Sequence, residues 1–176
     1  MSCKHSAGFK KKLIAAAVLM IFITAAAFAI STLSTEYLVL YDSDTGARYI
    51  TEEAKDGLMF SVEFIHSVNQ TPVKDTYKIE NGEIRAYSTL YRSFGAGVQT
   101  ALEGNQKMTY DEEGNMIITG FDITYDPLRY IVGTVSDHIL TFEGEEISLR
   151  NLCGRNAKVV FEIASGYEIL TKGMLN

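Results

Sequence analysis

Two hydrophobic patterns divide the chain. Residues 13–30, LIAAAVLMIFITAAAFAI, carry no charge, and after residue 35 apolar and polar positions alternate in short runs. The eighteen residues of the first pattern, wound as a helix at about 1.5 Å each, reach roughly 27 Å, close to the hydrocarbon thickness of a bilayer. The alternating runs have a period of two, which is that of strands with one face buried. EYLVLYD, ARYI, GLMFSVEFIHS, PVKDTYKI, EIRAYSTLYRS, QKMTYD, NMIITGF, RYIVGTV, HILTFEG, EISLRNL and AKVVFEIA all read this way.

Turn residues separate these runs. Ser43-Asp44-Thr45-Gly46 closes one hairpin, Asn81-Gly82 a second, and Glu112-Glu113-Gly114 a third. Asn-Gly is the pair most favoured in a two-residue hairpin. TEEAKDG at 51–57 is at most a short helical turn, and no later stretch shows a long 3.6-residue period. Eight or more antiparallel strands without covering helices must curl over their own apolar face. The predicted fold is therefore all-β, a sandwich or barrel, preceded by one N-terminal transmembrane or signal helix.

Charge adds orientation. Lys4, Lys10, Lys11 and Lys12 precede the apolar run with no acid among them. This favours a cytoplasmic N-terminus at 1–12, an uncleaved anchor at 13–30 and an extracytoplasmic β-domain at 36–176. The expected location is the cytoplasmic membrane, single-pass. Ala27-Phe28-Ala29 also fits a small-x-small signal-peptidase site, and cleavage after Ala29 would leave a secreted or periplasmic domain. Without its first 30 residues the chain keeps 12 basic and 22 acidic residues, a formal charge of −10. Nucleic acid and anionic lipid are poor partners for such a domain.

Cysteine and histidine usage points to little redox or metal chemistry. Cys3 and Cys153 flank the apolar run, so they form no intramolecular bridge across it, and Cys153 has no CxxC partner. His5 and His138 lack ligand spacing, and no metal or cofactor is implied. Asn69-Gln70-Thr71 matches the glycosylation pattern, a common triplet that says little alone.

Alternation also sorts the polar residues. In FSVEFIHS, Phe60, Val62, Phe64 and His66 share the more apolar face, and Ser67 points the other way. Val73, Asp75, Tyr77 and Ile79 share the inner face of the next strand. A tight Asn81-Gly82 turn pairing Glu80 with Glu83 sets Ile79 against Ile84, Tyr77 against Ala86 and Asp75 against Ser88. Leu90 and Arg92 continue that face. His66, Asp75, Ser88 and Arg92 are thus expected to gather at one mouth of the domain. Ser93-Phe94-Gly95-Ala96-Gly97 follows, and its glycines can turn backbone N–H groups toward an anion or form a bulge.

These segments resemble a family of bacterial domains encoded beside TRAP-type transporters of the TAXI class, in some members fused to the membrane permease subunit. The likeness rests on Thr45-Gly46, on FSVEFIHSVNQTPV at 60–73 with the acid at 75, and on SFGAG at 93–97, and it covers residues 36 to 100 best. Asp75 stands where the family more often has Glu, with the same charge and a shorter reach. Val98-Gln99 stands where a Pro follows the glycines. The resemblance implies an envelope protein associated with tripartite uptake of small organic acids. Its partners would be a transporter membrane subunit or substrate-binding protein, and a small organic anion is a possible ligand.

Three functions are open on this reading. The first is a non-enzymatic, membrane-tethered binding module with His66, Ser67, Thr71, Asp75, Ser88, Arg92, Ser93, Gly95 and Gly97 as candidate ligand residues. The second is a hydrolase using His66 with Asp75 and a serine hydroxyl, although no nucleophile elbow accompanies Ser88 or Ser93. The third is a structural interaction domain in which the same polar residues are satisfied core pairs.

Overall fold

The structure, a computed structural model, describes residues 4–67, 70–92 and 101–171, with side chains from Phe9 onward. In chain order the elements are α1 (Lys4–Ser34), β1 (Glu36–Asp42), β2 (Arg48–Glu53), β3 (Met59–Ile65), β4 (Pro72–Glu80), β5 (Glu83–Tyr91), β6 (Lys107–Tyr110), β7 (Met116–Thr119), β8 (Thr124–Tyr125), β9 (Leu128–Ile131), β10 (His138–Phe142), β11 (Glu145–Ser148), α2 (Leu149–Cys153), β12 (Lys158–Ser165) and α3 (Gly166–Thr171).

The strands form two antiparallel sheets. The small sheet has the order β2-β1-β12-β9, and the large one β11-β10-β3-β4-β5-β7-β6, with β8 added on β5. They pack face to face. Leu38, Leu40, Val159 and Phe161 of the small sheet meet Phe60, Val62, Tyr77, Ile79, Ile84 and Leu140 of the large one in a single core. Phe60 stacks on Phe161 with ring centroids 5.1 Å apart, so the two sheets touch directly. The predicted all-β sandwich is the fold.

α1 is longer than the run from which it was expected. Its candidate spanning stretch covers Phe9–Ser34, 26 residues whose most apolar 18-residue window has a mean hydropathy of 2.7, with none of that window buried against the domain. A helix apolar all round needs a hydrophobic surrounding. Here the domain does not supply one, and the span is long and apolar enough to cross a membrane. The Thr24, Thr32 and Ser34 hydroxyls donate to carbonyls one turn back, which leaves them satisfied without water.

Only Thr35 separates α1 from β1. The pairing registers then give the sandwich two ends. At the α1 end lie Glu36, the Asn81-Gly82 turn, Tyr125-Asp126 and Ser165. At the far end lie the 43–46 turn, His66-Ser67 with Gln70-Thr71, Arg92, the 111–115 turn, the 132–137 loop and α2.

Two features depart from the alternating pattern. EISLRNL, read as one strand, is a strand only to Ser148, after which Ser148 caps α2 by accepting the N–H of Asn151 at 3.0 Å. The chain after Ala164 closes into α3 through a capping box: Glu168 accepts from the Ser165 N–H, and the Ser165 hydroxyl accepts the N–H of Glu168. Both helices are too short for a periodic signal.

Candidate functional site

The Asn81-Gly82 turn forms as expected, with both residues at positive φ (54° and 73°). Ile79 opposes Ile84 and Tyr77 opposes Ala86. Beyond that pair β5 bulges. Thr76 pairs with Ser88 and Asp75 with Thr89, so Tyr87 is one extra residue on β5. The expected Asp75–Ser88 pairing is therefore corrected by one position, and with period-two strands that shift exchanges the faces. Thr89 and Tyr91 turn inward; Ser88, Leu90 and Arg92 turn outward.

Inside, Asp75 is held by hydroxyls. The Thr89 hydroxyl donates to its Oδ1 at 2.8 Å, and the Tyr130 hydroxyl, from β9 of the opposite sheet, approaches Oδ2 at 3.5 Å. The Tyr130 and Tyr77 hydroxyls are hydrogen-bonded to each other. Burial pushes the Asp75 carboxyl above its usual value, and the bonds from Thr89 and Tyr130 only partly oppose this. Burial likewise raises both tyrosines, so they stay neutral donors.

His138 continues the cluster toward the far end. It stacks on Phe64 with centroids 5.2 Å apart and meets the edge of Tyr130 at 5.8 Å. Its Nδ1 accepts the Gly133 N–H at 3.2 Å, and burial lowers its pKa, which keeps the ring neutral near pH 7. Next to it Asp137 knots three segments together. It accepts the Ser148 hydroxyl, the N–H of His138 at 2.7 Å and the N–H of Arg150 at 3.0 Å. Burial alone would raise the Asp137 carboxyl, but these bonds outweigh it and leave its pKa below the usual value. Arg150 spans back to the Gly133 carbonyl at 3.0 Å, with its Nε buried and unbonded.

His66 is not part of this interior cluster. It is the first residue past β3; its N–H donates to the Thr71 carbonyl and its own carbonyl accepts the Gln70 N–H, both at 2.9 Å. Val62, four residues earlier, is the partner of Asp75. At about 3.3 Å per residue, His66 stands roughly 13 Å along the sheet from Asp75. Ser67 is exposed and Thr71 half-buried in the same loop.

Arg92 lies on the outer face, its Nη2 3.4 Å from Glu63. Together with Lys74 it borders an open groove of about 410 Å³, in which Glu63, Asp111, Glu112 and Glu113 bring four carboxylates against the two cations. Ser88 is also on this outer face, opposite Thr76. Ser93, Gly95 and Gly97 lie outside the described residues.

The expected mouth therefore resolves into three places: Asp75 inside, His66 with Ser67 and Thr71 in the far-end loop, and Arg92 with Ser88 outside. A His66–Asp75–Ser88 relay is not assembled, because the bulge and the strand length separate all three. Among the described residues no group of three or more His, Cys, Asp or Glu side chains is placed to hold a metal.

A model for a domain of unknown function, DUF1850, matches residues 60–149, just over half the chain. The chain belongs to the DUF1850 family. That match contains every strand of the large sheet together with β9. β1, β2, β12 and α3, which complete the sandwich and join it to α1, lie outside the DUF1850 match. The Asp75–Thr89–Tyr130 cluster and the 66–71 loop both fall within it. No curated protein and no solved structure matches the chain.

Sequence reasoning did not single out Thr89, Tyr77, Tyr130 or Asp137. Tyr130 was legible, since Leu128 and Tyr130 alternate inward on β9 and Val132 continues the pattern just past it. Thr89 was not, because no residue at 85–88 announces a bulge. For Asp137 the signal was an acid three residues after Thr134 and just before a strand, a pattern common to many loops.

Proposed function

We propose that this DUF1850 chain is a membrane-tethered accessory module that presents its far end to a component of a TAXI-class TRAP transporter, outside the cytoplasmic membrane. The observation that carries this reading is the opposition of the two ends. α1 enters at one, and two parts of the segments that carry the likeness, Thr45-Gly46 and His66-Ser67 with Gln70-Thr71-Pro72, lie at the other. Ser67 and Gln70, exposed at the end remote from a tether, are where a partner would have access.

A photo-crosslinker in place of Ser67, in membranes of the native host, tests it. The expected product is an adduct with the transporter's substrate-binding protein or membrane subunit. Absence of any such adduct from Ser67, with the transporter present, overturns the reading. Labelling of Ser67→Cys by a membrane-impermeant maleimide in intact cells checks the sidedness, and intact mass of the exported chain checks cleavage after Ala29.

A second reading, a small organic anion held in the outer groove, draws on the adjacent Lys74 and Arg92. The surrounding carboxylates oppose it. Calorimetry with a small dicarboxylate decides: binding lost in Arg92→Ala supports it, and affinity unchanged by that substitution ends it.

A further inference from the structure

α3 is pinned to the last turn of α1. The Gly166 N–H donates to the Thr35 carbonyl at 2.9 Å, and a Cβ on Gly166 would lie 2.3 Å from the Thr32 carbonyl oxygen. Only glycine permits this approach of backbone to backbone. The capping box fixes the first turn of α3, and Ile169 is buried with Val39 and Ala164 on the back of the small sheet. Tyr167 and Leu170, three residues apart and so on one helix face, are left 59% and 53% exposed.

We propose that this Tyr167/Leu170 face rests in the interfacial layer of the same bilayer that α1 crosses, so that the domain grips the membrane at a second point. The proposal builds on the anchor reading of α1. An aromatic with a polar tip and a leucine beside a spanning helix suit the boundary between headgroups and acyl chains. The continuity with α1 names the occupant: the backbone of α3 touches Thr32, which lies inside the apolar span Phe9–Ser34. Glu36, Glu83, Asp126 and Glu168 line a crevice at this end, so the suitable surface is zwitterionic rather than anionic.

The chain contains no tryptophan, so a single introduced indole reports its own surroundings. The full chain carrying Leu170→Trp is reconstituted into phosphatidylcholine vesicles with brominated acyl chains. Tyr167→Trp serves as an independent reporter, and Tyr110→Trp, at the far end, as the control. Blue-shifted emission and bromine quenching at 167 and 170, with neither at 110, is the expected result. Flotation of the same vesicles separates the two ideas. A chain that floats while both α3 indoles match the control overturns the second grip alone, whereas a chain that does not float removes the anchor and the grip together.

Discussion

Asp75 and Thr89 face each other across β4 and β5, joined by a 2.8 Å hydrogen bond, because Tyr87 adds one residue to β5. Among the described residues the groups that hold this carboxylate are hydroxyls, those of Thr89 and Tyr130. Its folded pKa is raised above the usual 3.8, so the folded chain holds the proton more tightly than the unfolded chain does. This contribution to stability is whole below about pH 3.8 and declines as pH rises through the folded value. Asp75→Asn keeps an acceptor for Thr89 and abolishes the titration. Urea midpoints measured from pH 4 to 8 should therefore show the variant gaining on the wild type with rising pH; parallel curves would contradict the burial of a titrating Asp75.

Asp137 should behave with the opposite sign. Its folded pKa is lowered from 3.8, so its contribution is whole above that value and is lost as pH falls through the folded one. Asp137→Ala releases bonds from Ser148, His138 and Arg150 and should cost about 1.5–3 kcal/mol near neutrality. The deficit should narrow in acid, as read from chemical denaturation at pH 7 and pH 3.

The Tyr77–Tyr130 pair links the sheets through hydroxyls in an apolar core. Either Tyr77→Phe or Tyr130→Phe leaves one buried hydroxyl short of a partner, at about 1–3 kcal/mol. The double variant should lose less than the two single losses summed, by roughly 0.5 kcal/mol or more in a double-mutant cycle. Strict additivity would show that the hydroxyls do not act as a pair.

Phe161 fills the space between the sheets against Phe60 and, at 6.4 Å, the edge of Tyr130. Phe161→Ala should destabilise the domain by about 3–5 kcal/mol, measured by the thermal or urea midpoint.

Cys153 is half-buried at the end of α2, where burial and then the Asp42 carboxylate push its thiol up to about 12. In a Cys3→Ser background, iodoacetamide at pH 8 should leave it unmodified in the native chain and alkylate it in urea, with mass spectrometry as the readout.

Strand alternation was enough to read the sandwich, the inward Asp75 and the Asn81-Gly82 turn, since each is set by local period and turn chemistry. The site was legible only as far as Tyr87. One unannounced residue there reversed the faces of Ser88 and Arg92, because register propagates from turn to strand end and carries every error with it. His66 shows a different limit. Alternation gave the direction of its strand face but not the distance to Asp75, which depends on the register of β3 against β4, where Val62 and not His66 stands opposite Asp75.

The single residue Thr35 between α1 and β1 gives this module a fixed standoff. The Gly166–Thr35 hydrogen bond ties α3 to the same junction. β4, nine residues long, measures about 30 Å from one end of the sandwich to the other. If α1 is the anchor proposed above, a partner of Ser67 would have to present its own surface within about that height of the lipid, as a membrane subunit would and a freely diffusing protein would only after docking.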